Sequence, residues 1–240
     1  VLLLTTLTRS IRSQVINLKP TRWVVYHFVK IILSIVCRVD DQELHRVPSH
    51  GPLITITNHT GSLEVPILFT WLHPRPITGW AKSETWNNPA MGWLFDLWGA
   101  IPIHRGEADL NAVRFALNKL QDGYIFGVAP EGTRNKTGKL LRAHPGIATL
   151  ALRSGAPILP IVHWGGEKLK HNLKRIRRTD FYTNVGKPFR LRVMDSRLTR
   201  EARQQIADEM MFQVAILLPE EYRGAYSDLS KMTIQYLIFD

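Results

Sequence analysis

From residue 40 onward, hydrophobic runs of four to six residues alternate with stretches of helical character. That alternation is the strongest constraint on the fold, because strand–helix–strand successions build a parallel sheet with helices laid on its faces. Strands are expected over 53–57, where Gly51-Pro52 bounds the run Leu53-Ile54-Thr55-Ile56-Thr57, and over 75–81, 100–104, 124–129, 158–163, 181–185 and 189–193. Helices are expected over 62–72, 89–98, 107–121, 146–153 and 198–218. Pro66 is tolerable in the first of these because it falls in the opening turn, where its missing N–H has no partner to lose. In 107–121 the acids come early and Arg114 and Lys119 late, matching the helix dipole, and Gly123 is placed to cap it. The expected fold class is therefore α/β, a largely parallel sheet flanked by helices. A chain of 240 residues, 45% of them hydrophobic, suits one large domain or a domain with a small appendage.

The appendage is expected at 1–39, ahead of an α/β domain at 40–240. Residues 1–39 carry Arg9, Arg12, Lys19, Arg22, Lys30 and Arg38 and no acid, part of a net charge of +11. The segment from Trp23 to Cys37 is strongly apolar, yet it runs for only 15 residues with Lys30 at its middle. A spanning helix needs about 20 apolar residues. The reading is an interfacial helix, with Arg22 and Lys30 snorkelling to the headgroups and Trp23 as an anchor. Residues 1–18 form a second expected helix, separated by Pro20, so the two make an N-terminal membrane-associating helical pair. No signal-peptide pattern is present. A second basic cluster, Lys168, Lys170, Lys174, Arg175, Arg177 and Arg178, would attract a polyanion such as the anionic face of a membrane and so help docking. Charge alone would also suit nucleic acid, but no nucleic-acid motif accompanies it. The single cysteine, Cys37, excludes an intrachain disulfide and reads as a small buried or lipid-facing hydrophobe. No ligand cluster suggests a metal.

Chemistry concentrates in two segments. Asn58-His59-Thr60-Gly61-Ser62-Leu63-Glu64 places a histidine at the end of a strand and a carboxylate five residues later. On one helix that interval would leave the side chains about 140° apart. The pair meets only if His59 lies in the loop and Glu64 in the first helical turn, with Thr60 or Ser62 as helix cap. A neutral His59 imidazole oriented by Glu64 is a general base for a hydroxyl. Ser62 lacks the G-x-S-x-G setting of a nucleophile. The second segment is Pro130-Glu131-Gly132-Thr133-Arg134, a polar turn ending in a cation.

In this order, with Ala81-Lys82, Ile101-Pro102-Ile103-His104-Arg105-Gly106 and Pro157-Ile158-Leu159-Pro160-Ile161-Val162 in register, the chain resembles the glycerolipid acyltransferase family over about 58–162. These enzymes acylate glycerol phosphate and lysophosphatidate. The resemblance implies that Arg105 and Lys82 hold the acceptor's phosphate. Arg134 would be a second anion ligand, and Glu131 and Gly132 would shape the acceptor site, with Glu131 accepting from a hydroxyl and Thr133 supporting the turn. It implies no cofactor and no metal, with acyl-CoA or acyl carrier protein as co-substrate. The implied setting is the cytoplasmic face of a membrane, held peripherally or monotopically on an anionic bilayer surface.

Two departures stand out. Glu64 replaces the family's usual aspartate, and the added methylene would move the carboxylate by over an ångström on an unchanged backbone. Ala129 stands where the family usually has an aromatic residue. The expected function is acyl transfer from a thioester to lysophosphatidate or a related lysolipid. The alternative is a non-catalytic lipid-binding relative in which Glu64 marks lost catalysis. Five of the seven tryptophans (Trp71, Trp80, Trp86, Trp93 and Trp98) fall within 71–98 and read equally as core packing or as an acyl-chain groove with interfacial anchors.

Overall fold

The structure, a computed structural model, describes residues 19–103, 110–192 and 198–239. The expected first N-terminal helix and Arg105 lie outside the described residues. The described chain opens with helix α1 (Lys19–Val36), runs into strand β1 (Cys37–Asp40), and then enters the alternation. In order come β2 (Leu53–Ile56), α2 (Glu64–Trp71), β3 (Ile77–Lys82), α3 (Pro89–Leu97), β4 (Ile101–Ile103), α4 (Leu110–Gln121) and β5 (Ile125–Val128). They are followed by α5 (Gly146–Ser154), β6 (Ile158–Trp164), α6 (Leu169–Leu173), β7 (Thr179–Val185), β8 (Phe189–Leu191), α7 (Arg200–Ala215) and β9 (Leu237–Phe239).

Strand β2 lies at the centre, parallel to β5 on one side and to β6 on the other, with β3 and β4 continuing the parallel order beyond β5. All four β2 residues are buried, as a strand covered on both faces requires. Their alternation sorts the core into two layers. Ile54 and Ile56, with Phe126, Ile158 and Val162, meet α4, α5 and α7 through Ala116, Leu150 and Met210. Leu53, Ile125, Leu159 and Ile161 face the other way, onto Leu68 and Phe69 of α2, Tyr26 of α1 and Trp98. Helices thus cover both faces of the sheet.

The sheet is mixed: among the described residues five strand pairings are parallel, as expected, and the three at the far edge of β6 and beyond are antiparallel. Strands β7 and β8 run antiparallel to β6 along the same edge, interrupted at Gly186-Lys187-Pro188, and β9 is antiparallel to β8. The physical reason lies in the connection after β6. A parallel return needs a crossover of roughly a dozen residues or more that traverses the sheet. Here the connection, residues 165–178, is long enough in count, but it holds only the five-residue α6 and short turns that do not traverse the sheet, and it returns the chain beside the end it left, where Trp164 pairs with Tyr182. Strand β1 then pairs parallel with β7, an edge strand that the sequence did not announce.

Helix α1 is apolar on both faces. Tyr26 and Leu33 are buried and the helix packs on α2, whereas Trp23, Val24, Phe28, Ile31, Ile32 and Ile35 are exposed. The two cations expected to snorkel away are turned onto the protein. Arg22 Nε donates to the carbonyl of Leu97 at 2.7 Å, and Lys30 Nζ sits 4.7 Å from the centre of the Trp71 ring. Cys37 is fully buried among Leu33, Leu63, Ile67 and Phe181. No described helix is long and apolar enough to cross a membrane. The tryptophan cluster is mostly packing: Trp98 is buried against Phe69 and Phe95, and Trp80 stacks edge-on to Phe126. Trp86 donates to Asp96, while Trp93 faces outward.

The site-bearing centre of the sheet depends on one close approach. Gly79 of β3 pairs with Gly127 of β5, and a Cβ on Gly79 would lie 2.6 Å from the Gly127 carbonyl oxygen. Gly79→Ala is therefore expected to cost about 1–3 kcal/mol of stability, read as a lowered midpoint in urea unfolding followed by fluorescence.

Candidate functional site

The carboxyl ends of parallel strands are where open α/β sheets bind ligands. Both chemistry-bearing segments leave neighbouring parallel strands at that edge: His59 follows β2, and Glu131 follows β5. The ladder continues past the strands, because the Thr57 N–H donates to the Val128 carbonyl at 3.0 Å. Two further bonds stitch the loops together. The His59 N–H donates to Glu131 Oε1 at 2.8 Å, and the Asn135 N–H donates to the His59 carbonyl at 2.8 Å.

The histidine and Glu64 meet. His59 Nδ1 donates to Glu64 Oε1 at 2.6 Å, with the Glu64 side chain 2% exposed and that of His59 17% exposed. Glu64 is the first residue of α2, so its carboxylate can fold back over the preceding loop, where Oε1 also accepts the Gly61 N–H at 3.3 Å. This accommodates the longer side chain. It also replaces the expected cap: Leu63 is the N-cap residue and no side chain caps the helix, so neither Thr60 nor Ser62 plays that part. With the proton on Nδ1 committed to the carboxylate, Nε2 of the neutral ring carries the lone pair, and it has no partner among the described residues.

Burial pushes the Glu64 carboxyl upward. The His59 hydrogen bond, helped by the nearby His163 and His59 rings and by backbone, outweighs it and brings the pKa down to about 2. Glu131 is displaced the other way. Its burial raises the pKa to about 7, although both carboxylate oxygens accept backbone N–H groups, Oε1 from His59 and Oε2 from Leu141 at 2.7 Å. At 2% exposure, with both oxygens engaged, Glu131 is a clamp between two loops and does not present the open hydroxyl acceptor that the family resemblance implied.

Gly132 follows at φ +66°, and a Cβ there would lie 2.7 Å from Cδ2 of His144, so the turn needs glycine on both counts. Thr133 and Arg134 are exposed, and Arg134 makes no ion pair among the described residues. Lys82, partly exposed, ends β3 at the same edge of the sheet. The structure thus brings His59, Glu64 and Glu131 into contact and sets Lys82, Gly132, Thr133 and Arg134 around the strand ends.

Two contributors were not foreseen. The Asn58 side chain donates to the His163 carbonyl at 2.7 Å and accepts the His163 N–H at 3.0 Å. His163 Nε2 in turn lies 2.8 Å from the Asn58 carbonyl oxygen. His163 is fully buried and stacked on Phe181, and burial pushes its pKa down. These bonds fix the residue before His59. Their partners are 105 positions apart, so no local pattern announces them. Only Asn58 at the head of the histidine segment was a visible signal.

The model of the family described as Acyltransferase matches residues 38–164, more than half of the chain. The chain belongs to the acyltransferase family. The chain is 26% identical over 178 residues to the chloroplastic 1-acyl-sn-glycerol-3-phosphate acyltransferase BAT2 of Brassica napus, covering 72% of the chain and 51% of that protein. It is 26% identical over 147 residues to the 1-acyl-sn-glycerol-3-phosphate acyltransferase of Bacillus subtilis, covering 61% and 73%. To the human alpha form of an enzyme of that name it is 31% identical over 149 residues, covering 61% and 51%. The chain therefore spans about half the length of its plant and human relatives. The crystal structure of the 1-acyl-sn-glycerophosphate (LPA) acyltransferase PlsC from Thermotoga maritima shares the fold, with a TM-score of 0.57 and 21% identity over 79% of this chain and 76% of that one. The glycerolipid acyltransferase resemblance of the sequence is borne out by these relatives.

The Glu131 clamp has a pH signature. Between its ordinary value of 4.5 and its folded value of about 7, the folded state holds the extra proton, so this carboxyl's contribution to stability falls as pH rises through that window. Glu131→Gln keeps one acceptor and turns an amide N–H toward a backbone N–H, which is expected to cost about 1–3 kcal/mol. Thermal unfolding should show the gap between wild type and the variant narrowing from about pH 5 to about pH 8.

Proposed function

We propose that this acyltransferase moves a fatty acyl group from an acyl thioester, on coenzyme A or acyl carrier protein, to a hydroxyl of lysophosphatidate or a related lysolipid. The observation that carries the proposal is the 2.6 Å bond from His59 Nδ1 to the buried Glu64, which leaves Nε2 as the open base. Nε2 takes the proton of the acceptor hydroxyl as its oxygen attacks the thioester carbonyl. The imidazolium that forms is stabilised by Glu64, which remains ionised across any practical assay range because its pKa lies near 2. Collapse of the tetrahedral intermediate forms the ester and expels the thiolate, which recovers the proton from Nε2. Atoms balance without an acyl-enzyme, and the reading calls for no cofactor and no metal.

In this scheme Glu131 is a positioning residue for the His59 loop. Lys82, Arg134 and Arg105 hold the phosphate of the acceptor; a guanidinium suits phosphate because it donates two parallel bonds. Gly132 and Thr133 shape the turn that presents Arg134. The segment 1–39 is the docking element, laying the exposed face of α1 on the cytoplasmic surface of an anionic membrane so that an insoluble acceptor reaches His59 without leaving the bilayer. The short bond that His59 donates to Glu64 supports the catalytic reading over a non-catalytic one, with the glutamate taking the part of the family's aspartate from the first turn of α2.

Purified protein with lysophosphatidate and acyl-CoA, assayed by product formation, tests this. His59→Ala is expected to abolish measurable turnover, and full activity in that variant would end the general-base assignment. Glu64→Gln should lower kcat by about 10²–10⁴-fold, as loss of an orienting carboxylate does. Glu64→Asp withdraws the carboxylate by about 1 Å and should cost about 10²-fold.

A further inference from the structure

We propose that residues 168–178 form a second membrane foot, which inserts Leu173 and Ile176 among the headgroups of an anionic bilayer beside α1. The inference rests on the bilayer reading above and deepens it. The segment contains Lys168, Lys170, Lys174, Arg175, Arg177 and Arg178 and no acid, and all six cations are exposed. The acids that flank it are already engaged: Asp180 pairs with Arg38 at 3.4 Å, and Glu167 accepts from the Tyr222 hydroxyl at 2.8 Å. Leu173 is exposed among these cations, and Ile176 is 98% exposed.

Ile176 is the informative residue. Its φ of +53° lies in the left-handed region, which a β-branched side chain scarcely adopts. Glycine or asparagine would sit there without strain. The turn is nonetheless defined, because the Arg175 and Arg177 N–H groups both donate to the Asn172 carbonyl at 2.9 Å and the Ile176 N–H donates to that of Leu173 at 3.1 Å. The isolated protein thus holds a strained isoleucine at a loop tip where it packs against nothing. An apolar environment outside the protein would give that side chain a place. Soluble phosphates alone would account for the cations but not for Leu173 and Ile176, whereas an anionic bilayer surface accounts for both.

The loop is also joined to the other docking element. Arg178 Nη2 donates to the carbonyls of Ser34 at 2.6 Å and Cys37 at 2.7 Å, tying the loop to the carboxyl end of α1. Leu169 packs on the cluster that contains Leu33 and Cys37. Two feet joined in this way would restrict rotation of the domain about α1 on the membrane.

The test uses the full chain and vesicles of phosphatidylcholine with or without phosphatidylglycerol, read by flotation. Ile176→Gly with Leu173→Ser is expected to weaken binding to the anionic vesicles about tenfold. Ile176→Gly alone should raise the melting temperature while it lowers binding, a pair of opposite movements that a structural role would not produce. Turnover on detergent-dispersed lysophosphatidate should be unchanged in both variants. Wild type that ignores vesicles would overturn the bilayer reading and this inference with it. Loss of binding in Phe28→Glu on α1, with undiminished binding in the loop variants, would overturn the second foot alone. A raised KM for acyl-CoA in detergent on Lys174→Glu with Arg177→Glu, with vesicle binding intact, would make the loop a donor site and also overturn it.

Discussion

The parallel pairing of β2 with β5 on one side and β6 on the other is the constraint from which the site follows. Parallel neighbours end at the same edge, so the loops that leave them are brought together whatever their separation in sequence. His59 leaves β2, Glu131 leaves β5, and His163 lies near the end of β6. Three sets of hydrogen bonds then convert proximity into position. Glu131 joins the His59 and Leu141 backbones, Asn135 closes on the His59 carbonyl, and Asn58 exchanges bonds with His163. His59 is thus held through its main chain from two sides and through its ring by Glu64.

Two buried carboxylates share this small region and are driven in opposite directions, Glu64 to about 2 and Glu131 to about 7. Burial acts on both. The difference is the partner: Glu64 faces an imidazole N–H that becomes more attractive when charged, whereas Glu131 meets only neutral backbone donors and feels the charge of Glu64. Environments that separate two carboxyl groups in this way assign them different work. One is a permanent charge beside the proposed base; the other is a structural link whose protonation tracks pH near neutrality.

The membrane-facing proposals draw on a different kind of observation. Helix α1 buries Tyr26 and Leu33 and still leaves six large hydrophobic residues in water, and the 168–178 loop leaves two more amid six cations. Exposed apolar surface rimmed by charge marks an interaction site in proteins of this kind. Arg22 and Lys30, which composition alone would send to the headgroups, serve the protein side by fastening α1 to Leu97 and Trp71. In the proposed docking, the interfacial cations come instead from a loop far along the chain.

The sequence by itself determined the alternation of strands and helices, the placement of β2, β5 and β6 to within one or two residues, the glycine turn after α4, and the acyltransferase motifs at 58–64 and 130–134. Each of these is written locally, in hydrophobic period, turn residues or short spacing, and survives in any tertiary setting. Tertiary structure alone decided the rest. The direction of β7, β8 and β9 depends on whether a connection crosses the sheet, and a five-residue helix looks no different in sequence when it does not. Whether the Glu64 carboxylate could reach the His59 ring depended on where α2 begins. Glu131 is a buried clamp because Leu141 and His59 converge on it. Asn58 and His163 acquired meaning only when β2 and β6 lay side by side. Hydrogen bonds between residues about a hundred positions apart have no local signature, since they are chosen by the pairing of strands and not by the residues that make them.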